Sequence, residues 1–93
     1  LVKNRTFCWP NPVEDNISYI RYYVTENCEV KINIFNMAGQ FIKSFSQATP
    51  NLNQYNEIAW NVTDIESGVY YAIVKAEKGS QSETKTVKIM IIK

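Results

Sequence analysis

Apolar residues recur at every second position in almost every stretch of this chain that could be ordered. Val30, Ile32 and Ile34 alternate with Lys31, Asn33 and Phe35, and Ile20, Tyr22 and Val24 alternate with Arg21 and Tyr23. Ile58 and Trp60 share a phase against Glu57 and Ala59. A period of two puts successive side chains on opposite faces of a strand, so this order belongs to a sheet with one face on a core. Val69 to Ala76 and Thr84 to Ile92 are rich in the β-branched and aromatic residues that suit a pleated, packed surface. No window longer than one turn combines helical spacing with a cap.

Breakers separate these runs. Pro10-Asn11-Pro12 cannot donate ladder hydrogen bonds at its prolines, so it closes the first strand. Gly39 follows Asn36-Met37-Ala38 and supplies the positive φ that a short hairpin needs. Gln47 to Gln54 is the longest loop, and Glu66-Ser67-Gly68 and Lys78-Gly79-Ser80 mark further turns. The reading is about seven short strands, near 4–9, 17–24, 29–36, 40–46, 55–61, 69–77 and 82–92. That count and spacing predict an all-β fold, an immunoglobulin-like antiparallel β-sandwich, with residues 1–93 as one domain.

Composition supports a small core and removes several function classes. The 93 residues are 45% hydrophobic and 13% aromatic, enough to fold without metals or staples. Ten basic and nine acidic residues are dispersed to a net charge of +1, which leaves no electrostatic footprint for nucleic acid. The chain has no histidine, which removes the commonest general base and the usual zinc ligands. Two cysteines without CxxC spacing build no metal site, and Glu14, Asp15, Asp64 and Glu66 read as turn residues rather than calcium ligands. No cofactor, metal or enzymatic activity is expected. Cys8 and Cys28 should sit at opposite ends of a paired strand, roughly 25 Å apart at about 3.3 Å per residue, which argues against a disulfide between them. Residue 1 is Leu, no stretch has the order of a signal peptide or the length of a membrane helix, and the chain is expected to be a fragment of a longer protein.

Aromatic residues are the remaining candidates for a site. Trp60 lies in phase with Ile58, and Tyr22 and Tyr70 also read as core members. Tyr19, Tyr23, Tyr55 and Tyr71 fall on the outward phase, where they stabilise cross-strand pairs or, alternatively, form a stripe for a carbohydrate partner.

Four segments in order, WPNPVEDN, ISYIRYYVTENCEVKINIFNMAGQFIKSF, NEIAWNVTDIESGVYYAIVKAEKG and TKTVKIMIIK, resemble the C-terminal sorting domains of bacterial type IX secretion substrates. They are similar also to the related immunoglobulin-like domain of the flagellar hook-capping protein. The likeness runs from Trp9 to Lys93. It rests on the opening Pro10, Asn11 and Pro12, the hairpin Ala38, Gly39 and Gln40, and Ser67, Gly68, Val69 and Tyr70 at the start of the penultimate strand. Gly79 in the last turn and the lysine-bearing terminal strand complete it.

The resemblance implies a non-catalytic domain at the end of a larger secreted protein, crossing the periplasm of a Gram-negative bacterium. It would direct an attached upstream cargo through the outer-membrane translocon, with shuttle proteins, to the surface or the medium. The residues it marks for recognition are Gly68, Tyr70, Gly79, Lys85, Lys88, Ile89, Ile91 and Lys93, with Pro10, Asn11, Pro12 and Gly39 as structural motif. Val87, Ile89 and Ile91 occupy one phase of the terminal strand and Met90 and Ile92 the other, more apolar surface than a one-sided strand needs. Two other functions fit the residues: a structural spacer in a secreted multidomain enzyme such as a glycoside hydrolase, and a carbohydrate-binding module using the outward tyrosines.

Overall fold

The computed structural model describes residues 1–93 as seven strands. They are β1 (Phe7–Trp9), β2 (Ile17–Tyr23), β3 (Glu29–Asn36), β4 (Phe41–Gln47), β5 (Tyr55–Asn61), β6 (Gly68–Lys78) and β7 (Gln81–Ile91). Two antiparallel sheets, ordered β1-β2-β5 and β4-β3-β6-β7, pack face to face as a sandwich. The fourth strand pairs with the third, so it lies in the opposite sheet from its place in a constant-type immunoglobulin domain.

The alternation in the sequence becomes the inside and outside of the sandwich. Ile20, Tyr22 and Trp60 from one sheet meet Ile32, Ile34, Ala72, Val74 and Ile89 from the other, all buried. Each fully buried aliphatic side chain contributes about 1.5–3 kcal/mol, which offsets the entropy of ordering the strands. Ser18 is the one buried side chain whose oxygen lacks a hydrogen-bond partner. It stands opposite Trp60 in the β2–β5 ladder, where a small side chain leaves room for the indole.

Five strands differ in their limits from the reading of the sequence: β4 and β7 are each displaced by one residue, β6 is longer by one residue at each end, and β1 and β2 have identifiable causes. The first strand begins at Phe7 rather than residue 4, because Lys3–Arg5 winds into a single 3-10 turn. Lys3, Asn4 and Arg5 have nothing to bury, whereas Thr6 is buried and donates its hydroxyl to the Val2 carbonyl at 3.0 Å. The second strand ends at Tyr23, and Val24 forms an isolated parallel bridge to Leu52. Cys8 and Cys28 are free thiols.

Hairpin geometry explains two glycines. Gly39, at φ 80°, closes the Asn36–Gly39 turn, beside which the Asn36 Oδ1 accepts from the backbone N–H groups of Ala38 and Gln40. Gly79, at φ 60°, takes the first of two central positions between Lys78 and Gln81, as a type II′ hairpin requires.

Tyr22 couples this core to pH. Its hydroxyl donates to Gln47 Oε1, and burial, with a smaller contribution from the Cys28 thiol, pushes its pKa from 10.0 up to about 12. The folded state therefore favours the neutral phenol, a stabilisation fully present below pH 10 and lost as pH climbs from 10 towards 12. Urea titrations at stepped pH should show the wild-type midpoint falling through that window, with a shallower fall for Tyr22→Phe. Identical slopes for the two proteins would refute the assignment.

Candidate functional site

The terminal strand earns attention first, because both its edges and its last residues are tied down. Along one edge β7 pairs with β6 from Gly68↔Ile91 to Lys78↔Gln81, a ladder of full length. Along the other edge lies the Pro10-Asn11-Pro12-Val13 segment. A proline offers no N–H, so this segment cannot pair through a regular backbone ladder. The Asn11 side chain substitutes for one: its Nδ2 donates to the Lys88 carbonyl and its Oδ1 accepts from the Met90 N–H, both at 3.1 Å. A primary amide carries the same donor and acceptor as a peptide group, so it closes the ladder where the backbone cannot. Cys8 Sγ also points at the Lys88 carbonyl, at 3.4 Å. Val13 then pairs in parallel with Ile91, donating to the Met90 carbonyl at 2.7 Å and accepting from the Ile92 N–H at 2.9 Å. An open edge is a template for foreign strands, and here residues 88–92 have theirs filled.

Lys93 finishes the closure. Its backbone N–H donates to Ser67 Oγ at 2.8 Å, and its ammonium donates to the Thr63 carbonyl at 2.7 Å and to the Val62 carbonyl. Nearby, Tyr70 turns its hydroxyl back to the Glu66 carbonyl at 2.7 Å, the tyrosine corner of immunoglobulin-like sandwiches. Burial, followed by the nearby Glu66 carboxylate, raises the pKa of this phenol. Its ring meets Trp60 edge to face, centroids 5.8 Å apart. A Cβ added to Gly68 would touch only the Tyr70 ring, at 3.8 Å.

The phase of β7 divides the marked residues. Ile89 and Ile91 point into the core with Val87 and are buried. Lys85 shares their phase and is half-buried, whereas Lys88 is exposed on the outer face. Met90 and Ile92 are exposed on that outer face as well. Met90 stands opposite Val69, and Lys88 opposite Tyr71, which pairs onward with Phe35. Phe35 meets Phe41 at 6.0 Å, and Phe41 and Met37 are exposed at the adjoining hairpin. A hollow of about 220 Å³ lies beside this patch, lined by Asn36, Met37 and Ala38 on one side and Glu66 to Tyr70 on the other.

One end of the sandwich thus gathers Asn11, Gly68, Tyr70, Lys88 and Lys93 with the Ala38-Gly39 hairpin. Gly79 and Lys85 lie towards the opposite end of the β6–β7 hairpin. The interlock between Asn11 and β7 has no local signal in the sequence, since its partners stand 77 and 79 residues away.

The four outward tyrosines do not form one stripe. Tyr19, Tyr23 and Tyr55 share the outer face of the β1-β2-β5 sheet, and Tyr71 lies on the other sheet. Trp9 and Phe7, on β1, join the first group. No three acidic or cysteine side chains come together as a metal site would need.

Comparison with known proteins adds family and fold. Residues 8–92 match the family described as the secretion system C-terminal sorting domain. Among solved structures, dimeric latent PorU from Porphyromonas gingivalis aligns over 94% of this chain with a TM-score of 0.72 at 18% identity, a likeness of fold. The aligned region is 9% of the PorU chain. No curated protein matches. With the match spanning nearly the whole sandwich, from Cys8 to Ile92, the chain belongs to the C-terminal sorting domains of type IX secretion.

Proposed function

We propose that this domain is a non-catalytic address that carries an upstream cargo protein across the outer membrane for anchoring or release at the surface. In this reading the outer-membrane translocon meets the outer face of β7, where Lys88 and Met90 stand beside Tyr71, Val69 and Phe35. The observation that carries the proposal is the family match over residues 8–92. The geometry supports a surface made of side chains: the backbone edge at residues 88–92 is already paired, and Ile89 and Ile91 face inward. Gly68, Tyr70, Ile89 and Ile91 then shape the strand, while Lys88, Met90 and Ile92 present it. Lys93 holds its end in place.

This division decides which variants are informative. Deleting residues 88–93 would remove two core isoleucines along with the proposed surface, so lost secretion would report unfolding equally well. The exposed side chains offer a cleaner test. Residues 1–93 are fused to the C-terminus of a periplasmic reporter in a type IX-competent bacterium, and Lys88→Glu with Met90→Asp is compared with Thr84→Glu at the far end of the same face. The expected result is a folded reporter retained in the periplasm for the double variant. Export should drop at least about tenfold, the factor that ~1.4 kcal/mol of recognition provides. Undiminished export of the double variant would remove this face from the recognition surface. Failure of the unaltered fusion to leave the periplasm would remove the sorting function itself.

A further inference from the structure

We infer that the outer face of the β1-β2-β5 sheet carries a binding site for a neutral, β-1,4-linked oligosaccharide, centred on Trp9 and the cleft beside it. The inference does not depend on the sorting reading, because its residues lie on the sheet opposite β7.

Trp9 is the most exposed aromatic residue of this face after Tyr55, at 39%, yet its ring is fixed. The indole stacks on Tyr19 with centroids 4.8 Å apart and planes 20° from parallel. Its Nε1–H donates to Glu57 Oε2 at 3.3 Å, and the same oxygen accepts from Arg21 Nε at 2.6 Å. The Arg21 guanidinium lies 5.1 Å from the Trp9 centroid and 5.9 Å from that of Tyr55. An aromatic plane held at its face and its edge loses little rotamer freedom when a ligand settles on it, and such pre-organisation favours binding.

Next to this plane is a cleft of about 410 Å³ lined by Trp9, Pro10, Asp15, Asn16, Ile17 and Tyr19. Its size lies within the range of small-molecule sites. Asp15 offers carboxylate oxygens, one of which accepts from the Asn16 N–H at 3.0 Å, and Asn16 adds an amide with both donor and acceptor. Charge selects among ligands. Arg21, the cation within reach of Trp9, is already paired with Glu57, Arg5 lies over Tyr23 and does not line the cleft, and the cleft itself carries one carboxylate. An anionic ligand finds no free positive partner there. A neutral polyol finds hydroxyl partners beside an apolar plane.

Pyranoses with equatorial hydroxyls have apolar axial C–H faces, and β-1,4 linkage keeps successive rings flat and extended. One ring on the indole would place its neighbour at the mouth of the cleft, within reach of Asp15 and Asn16.

The two tryptophans give a direct readout. Trp60 is 2% exposed, so a change in emission on adding sugar reports Trp9. Cellohexaose and xylohexaose are titrated into residues 1–93, by fluorescence and by calorimetry. At least one should give saturable binding with a dissociation constant near ~1 mM. Binding should weaken about tenfold or more in Trp9→Ala, as loss of a stacking aromatic of ~1–3 kcal/mol implies. Asn16→Ala, which leaves the stack intact, should weaken it severalfold, and Tyr71→Ala on the other sheet should bind as wild type does. The inference is overturned if neither hexasaccharide gives heat or altered Trp9 emission at about 10 mM. It is also overturned if folded Asn16→Ala and Trp9→Phe both bind like wild type.

Discussion

Ile91→Asp is expected to abolish cooperative unfolding, while Ile92→Asp, one residue on, is expected to leave the melting curve nearly unchanged. Ile91 is 1% exposed and lies between Val13 and the end of the β6 ladder, whereas Ile92 is 46% exposed. Losing the buried isoleucine costs about 2–5 kcal/mol, and placing a carboxylate in the same apolar site adds several more. Domains of this size have a total stability of roughly 5–15 kcal/mol, so the sum reaches the whole of it. Circular dichroism on heating is the measurement. A sharp transition for Ile91→Asp within about 10 °C of wild type would mean that the end of β7 frays like an ordinary terminus.

The second large effect is expected at Trp60. Its indole fills the space between the sheets at the corner between β5 and β6, against the ring of Tyr70, whose hydroxyl donates to the Glu66 carbonyl. Truncation to alanine opens a cavity that the two sheets cannot close without breaking the corner. The expected loss is about 3–5 kcal/mol, a fall in melting temperature of more than about 12 °C. Trp60→Phe should recover much of that loss. If alanine and phenylalanine melt together, the corner does not depend on filling this space.

Much of the architecture was legible because alternation is a local property. Val30, Ile32 and Ile34 are buried as their phase requires, and so are Ile20, Tyr22, Val24, Trp60 and Tyr70. The opposite phases of Ile89 and Met90 in the last strand could be read the same way. What alternation lacks is any information about which strands become neighbours. Tyr71 has the outward phase of Tyr19 and Tyr55 but belongs to the other sheet, which only the pairing of β6 with β3 decides. The family motifs hid their mechanics for the same reason. Pro10-Asn11-Pro12 reads locally as a strand terminator, and its service as a pairing edge for β7 depends on a contact across nearly the whole chain. The early start assigned to β1 has a different cause: a 3-10 turn as short as Lys3–Arg5 leaves no periodicity to detect.

The meeting of Asn11 and Val13 with Met90, Ile91 and Ile92 has a consequence for the order of events during synthesis. Residues 88–93 leave the ribosome after everything they must hold, so the sandwich cannot close while translation of this stretch is under way. Until then the core side of β6 and the slot for Val13 stay open. Machinery that engages the closed form alone would therefore meet this domain only after β7 has been made to its end and has docked against Asn11 and Val13.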